Sequence, residues 1–161
     1  MKKAISKLQQ IQIAVGGFFL MIFLLTVVFQ MLFRYAGIAA TWTEDVSMYS
    51  FIWAVFMGGG AMVLEKKHFA FTSISDMMKN ERMKSVLSII ISAIMLIFAA
   101  LMVYYGIKLT KQFWNYTWVN ISSFKRGPTW LCLPICGATS CIYLVELIME
   151  DVNVLMKGGK Q

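Results

Sequence analysis

The chain has 161 residues, 59% of them hydrophobic and 14% charged, with a formal net charge of +7. A soluble domain carries about 25% charge, and the polar segments here are too short to cover so much apolar surface, which excludes a soluble four-helix core. No basic segment is long, or interleaved with stacking aromatics, in the way a nucleic-acid binder requires.

Four uncharged runs follow one another at 8–33, 46–64, 85–107 and 127–145. A helix rises ~1.5 Å per residue, so roughly 20 residues cross a hydrocarbon core of ~30 Å, and each run is close to that length or longer. The spacing predicts transmembrane helices at about 11–33, 46–64, 85–107 and 128–145. Lys2, Lys3 and Lys7 before the first run, with the small-x-small site Gly37-Ile38-Ala39 after it, would also suit a cleaved leader. The apolar stretch is longer than the usual ~7–15-residue leader core, so it is read as an uncleaved span.

In the first span Gln12, Gly16, Thr26, Gln30 and Arg34 step by threes and fours and share one helical face, with Phe19 and Phe23 between them. The second span carries the small residues Ser47, Ser50, Ala54, Gly58 and Ala61 in a similar stripe, with Thr43 as its expected N-cap. The third has Ser85, Ser88, Ser92, Ala99 and Gly106 in the same kind of register. Lipid-facing surfaces need no small residues, whereas helix contacts in lipid depend on close backbone approach, so these stripes are read as packing faces. The fourth span opens at Pro128, suited to a first helical turn. Its three cysteines, Cys132, Cys136 and Cys141, are read as small apolar packing residues.

Between spans two and three, Lys66, Lys67 and His68 form a basic cytoplasmic loop at the headgroups. Beyond them Ile74, Met77 and Met78 predict a short interfacial helix from about Ser73 to Asn80. Between spans three and four, Trp114, Tyr116 and Trp118 alternate, which disfavours helix and suggests an aromatic lip on the outer surface. Lysine and arginine set the orientation: ten of the 15 fall in the N-terminal segment, the 65–84 loop and the tail, and Arg34, Lys108, Lys111, Lys125 and Arg126 fall opposite. Both termini are therefore expected in the cytoplasm. The fold class expected is all-α and integral to the membrane. One domain, 1–161, holds four transmembrane helices and the short cytoplasmic interfacial helix, N-in and C-in.

No acidic residue falls inside a predicted span, where a proton-coupled carrier keeps its ion site. There is no phosphate loop and no His/Cys cluster, and the single histidine, His68, sits beside Lys66 and Lys67. The chain is therefore expected to be neither an enzyme nor a carrier by itself, with no cofactor and no metal.

The order of residues around the first crossover carries a family signal. Arg34-Tyr35 closes span one, and Trp42, Glu44 and Asp45 open span two. Tyr49, Phe51, Trp53 and Gly58 lie along span two, and His68 follows in a basic loop. This pattern, matched in detail over about 33–70, resembles the small membrane subunit of TRAP transporters, the DctQ-like or Q subunit. The four-span plan and length fit the whole chain, and Asp45 stands where a second Glu is common. The resemblance implies a non-catalytic subunit of a binding-protein-dependent, sodium-coupled importer of organic acids such as a sialic acid or a dicarboxylate. Located in the bacterial inner membrane, it would pack against and stabilise the scaffold of a large membrane subunit. Its partners would be that subunit, a periplasmic substrate-binding protein and membrane lipid, with no nucleic acid. The alternatives are a self-sufficient small homo-oligomeric transporter and a membrane assembly factor.

Within that frame Arg34, Tyr35, Trp42, Glu44, Asp45, Tyr49, Trp53 and Gly58 are the candidate interface or structural residues, and Trp114, Tyr116 and Trp118 the outer lip. For Arg34 two readings stand: a pair with Glu44 or Asp45, within the chain or across to the large subunit, or snorkelling to lipid phosphate while the acids cap span two.

Overall fold

The computed structural model describes residues 2–65 and 81–157. The described chain is helical except for its turns and one long connection: α1 (Lys2–Tyr35), α2 (Trp42–Met62), α3 (Glu81–Gln112), α4 (Gly127–Trp130) and α5 (Cys132–Lys157). The expected interfacial helix at about 73–80, and Lys66, Lys67 and His68, lie outside the described residues.

Among the described residues three stretches are long and apolar enough to cross a membrane: α1, Met83–Gln112 of α3, and Gly127–Met156, which joins α4 to α5. The expected second span is helical as α2, but α2 is not among these three. The reason is compositional. Its 21 residues would reach ~31 Å at ~1.5 Å each, but Glu44, Asp45, Ser47 and Ser50 occupy its first half and Gly58-Gly59-Gly60 its last turns.

Each boundary has a local cause. α1 ends where Gly37 takes φ +72°, a left-handed conformation that a Cβ would disfavour. There the Ile38 amide donates to the Phe33 carbonyl (2.9 Å) and the Gly37 amide to the Arg34 carbonyl (3.2 Å), a Schellman closure. α2 starts one residue before Thr43, so Thr43 is not its N-cap. It is fully buried in the first turn, and its hydroxyl donates back to the Ala40 carbonyl at 2.6 Å. The last long helix is interrupted at Leu131 because Pro134 has no amide hydrogen for the Trp130 carbonyl four residues back.

The helices associate as two antiparallel pairs, α1 with α2 and α3 with α5, and the pairs meet chiefly where α2 crosses α5. The expected small-residue stripes lie in these seams. On α3, Ser85, Ser88, Ser92, Ala99 and Gly106 are all buried. On α2, Ser50, Ala54 and Ala61 are buried, with Ser47 and Gly58 half-buried. On α1, Gln12, Gly16 and Thr26 are buried, while Gln30 is half-buried and Arg34 exposed. Rings fill the α1–α2 gap: Phe19 stacks on Trp53 at 5.0 Å and Phe23 meets Phe51 at 5.0 Å. Outward faces stay apolar, with Phe18, Leu24 and Leu32 on α1 and Ile94, Ile97 and Phe98 on α3 all near or above half exposed.

Glycine sets the spacing of the α3–α5 seam. A Cβ on Gly106 would stand 2.9 Å from the Pro134 backbone nitrogen and one on Gly137 2.9 Å from the Ala99 carbonyl, so backbone rather than a movable side chain blocks both. Gly106→Ala and Gly137→Ala should each destabilise the bundle by about 1–3 kcal/mol through this overpacking. Gly17→Ala, with open space around the added methyl, should be neutral or mildly stabilising. Thermal unfolding of the purified chain in detergent reads the difference.

Candidate functional site

The end of the bundle that holds the α1–α2 turn is covered by the connection 113–126. This segment folds back on itself: the Trp118 amide donates to the Phe124 carbonyl (2.9 Å), the Arg126 amide donates to the Tyr116 carbonyl (2.8 Å), and Thr117 bridges antiparallel to Lys125. An extended strip turns alternate side chains to opposite faces. Trp118 turns inward, stacking on Phe124 at 5.2 Å and on Tyr49 of α2 at 4.5 Å, and its indole N–H donates to the Thr129 hydroxyl at 3.3 Å. Tyr116 stays 58% exposed and Trp114 45% exposed, so the expected lip divides into one inward anchor and two outward rings. Trp114 rests on Gly127, where a Cβ would strike its ring.

The lid is tied to α2 by a charged acceptor. Asp45 is 3% exposed, and its Oδ2 accepts the backbone N–H of Asn120 at 2.6 Å. Glu44, the next residue along, is exposed. Successive residues on a helix are ~100° apart, so only one of the two acids can face the lid. Arg126 approaches the Tyr49 side chain from the lid side, while its own Nε is buried without a partner among the described residues.

The remaining predicted residues scatter around this core. Arg34 and Glu44 border one shallow depression beside the α1–α2 turn, but among the described residues Arg34 forms no ion pair with Glu44 or Asp45. Asp45 points at Asn120 instead, and Arg34 lies exposed in the last turn of α1, where the helix dipole favours a cation. Tyr35 is 87% exposed, and Trp42 is half-exposed with its ring edge-on to Phe33 at 6.5 Å. Tyr49 is buried under the lid, and Trp53 is held by Phe19. Gly58 has open space where its side chain would be; its role is to present backbone, for a Cβ on Gly16 would meet the Gly58 amide nitrogen at 3.1 Å.

Toward the end of the bundle opposite the lid is a polar node whose partners sequence reasoning missed. Gln12, on the predicted face of α1, is 4% exposed. Its Nε2 donates to the Thr139 hydroxyl (3.1 Å), and its Oε1 accepts the Tyr143 hydroxyl (2.9 Å). Thr139 in turn donates to carbonyls of its own helix at Ile135 or Cys136. One turn before Gln12, Gln9 donates to the Ala61 carbonyl at 3.0 Å. The signal was available: two glutamines on one face of an apolar helix require partners in lipid.

Two carboxylates lie inside the packing that the sequence placed beyond the last span. α5 runs on to Lys157 and buries both Glu146 and Asp151; the Ser88 hydroxyl donates to Asp151 Oδ2. At the same end Lys2 Nζ lies 2.5 Å from Glu150 Oε1, and this contact raises the Lys2 pKa above its ordinary value.

Asp45→Ala should free the lid, costing about 1.5–3 kcal/mol for a lost hydrogen bond to a charged group, whereas Glu44→Ala should stay within about 0.5 kcal/mol. Hydrogen exchange at the Asn120 amide and the fluorescence of Trp118 report the lid directly. Asp45→Ala should accelerate the first and shift the second, and Glu44→Ala should do neither.

No curated protein matches the chain. The family model for the DctQ component of tripartite ATP-independent periplasmic transporters matches residues 23–154, from the middle of α1 through nearly all of α5. The match takes in the crossover, the lid and both packing seams, and the chain belongs to the DctQ family, the small component of these transporters.

Proposed function

We propose that this chain is the non-catalytic small membrane subunit of a binding-protein-dependent, sodium-coupled importer of organic acids, acting as a brace for the scaffold of the large membrane subunit. In this reading α2 crosses the bilayer with the three more apolar helices, both termini face the cytoplasm, and the lid of 113–126 faces the periplasm of a bacterial inner membrane. Arg34, Tyr35, Trp42, Glu44 and the outward rings Trp114 and Tyr116 are the exposed groups available to partners at that surface. Asp45, Tyr49, Trp53, Gly58 and Trp118 hold the lid and the α1–α2 pair in shape.

The observation that carries the proposal is how the helices are locked to one another. Gly16 against α2 closes one pair, Gly106 against Pro134 and Gly137 against Ala99 close the other, and Gly60 against Gln12 and Cys136 joins the two at one tight point. A bundle closed in this way transmits force without changing shape, which suits a stationary element beside a moving one. The long apolar outer faces of α1 and α3 supply area for lipid and for a large partner.

Vesicles carrying the large subunit, this chain and the binding protein should accumulate an organic acid down a sodium gradient. Omitting this chain should reduce uptake at least tenfold, and the chain alone should give none. Uptake by the chain alone would instead establish a self-sufficient transporter, and full uptake without it would leave only an assembly role.

A further inference from the structure

At the end of the bundle opposite the lid, α1 and α5 part to leave a crevice of about 420 Å³ open to the surroundings. That volume is within the ~300–1,000 Å³ range of sites that hold small ligands. Ala4 and Ile5 form one wall, and Ile142, Val145 and Met149 the other. One charged group enters it. Glu146 is 9% exposed, lines the crevice, and has its Oε2 buried without a hydrogen-bond partner among the described residues. A buried carboxylate oxygen left unpaired costs free energy until something donates to it.

The charge pattern at the mouth indicates the donor. Lys2 Nζ is held 2.5 Å from Glu150 Oε1, and the Glu146 charge also acts on Lys2. The Lys2–Glu150 pair is therefore the charged neighbour of the acceptor inside the crevice. A zwitterion with a phosphate and a primary ammonium two carbons apart satisfies both, its phosphate at Lys2 and its ammonium at Glu146. The position along the helices agrees: Glu146 is just past the predicted end of the fourth apolar run and Ile5 just before the first, so the acid is at headgroup depth and Ile142 at acyl depth.

We propose that the crevice between α1 and α5 binds a phospholipid with a primary-amine headgroup, its ammonium donating to Glu146 and an acyl chain lying along Ile5, Ile142 and Val145. The site is independent of transport and of the large subunit.

The test is native mass spectrometry of the full chain in detergent, titrated with palmitoyl-oleoyl phosphatidylethanolamine or with the phosphatidylcholine of the same chains. The choline headgroup keeps the charge and removes every N–H donor. The wild-type chain should retain the ethanolamine lipid about tenfold more than the choline lipid, and Glu146→Gln should abolish that preference while retaining the choline lipid as before. Equal retention of the two lipids by wild type, or an unchanged preference in Glu146→Gln, overturns the proposal. So does a Glu146→Gln chain that keeps its lipid preference but no longer co-purifies with the large subunit, which would assign the carboxylate to a cationic side chain of that protein. Should Glu146→Gln fail to fold, Ala4→Trp fills the crevice from an exposed position. Loss of ethanolamine-lipid retention with unchanged helicity supports the site, and undiminished retention refutes it.

Discussion

The architecture depends on how two helical pairs are joined in a solvent that gives them no hydrophobic reason to associate. Lipid tails are as apolar as the helix surfaces, so the pairs hold together through close packing and hydrogen bonds. The Gln12 amide does this near the C-terminal end of α2. It donates to Thr139 and accepts from Tyr143, both on α5, and it fills the space against Gly60 on α2. One side chain of α1 thus touches the two helices that join the pairs. Every polar atom in this chain of bonds has a partner, since Thr139 passes its own proton to a backbone carbonyl. Losing any member would leave another unpaired in an apolar medium, which gives the node more weight than its bond count suggests.

From that node the molecule differs toward its two ends. Toward the α1–α2 turn the packing becomes aromatic, and the lid of 113–126 closes on Tyr49 through Trp118 and on Asp45 through Asn120. The exposed cation Arg34 and the exposed acid Glu44 remain at its margin without an ion pair between them among the described residues. Toward the other end the packing becomes polar, with Ser88 on Asp151 and Lys2 on Glu150, and Glu146 enclosed beside Ile5. A small component of a transporter that is rigid in its middle and chemically distinct at its two ends can meet different neighbours at each without altering its own shape.

The apolar runs alone gave a good account of the helical plan and of which residues face inward. The α3 stripe was legible down to Gly106, because small residues at three- and four-residue spacing in an apolar helix have few reasons to be there other than contact. Helix ends were read less well, for a common reason. Charges were taken as the limits of the spans, yet α5 continues past Glu146 and carries Asp151 inward. Whether a carboxylate near a helix end is solvated or enclosed depends on what another helix places beside it. Thr43 misled in the same way: a threonine at the start of a helix is a good cap only if the helix starts there, and the turn from Gly37 begins it earlier.

The sequence by itself determined the solvent, the helical class and the family, because composition, run length and the Arg34 to His68 residue order are properties of the chain read in one dimension. It also determined which face of α2 and α3 packs, and of the first two thirds of α1, since period and residue size are local. Only the tertiary structure decided the partners: Asp45 with Asn120 rather than Arg34, Gln12 with Thr139 and Tyr143, and Glu146 facing a crevice lined by α1. Each of these joins residues distant in sequence, and no local pattern encodes the angle at which two helices cross. A contact between helices is fixed by that angle and by the few glycines that permit it.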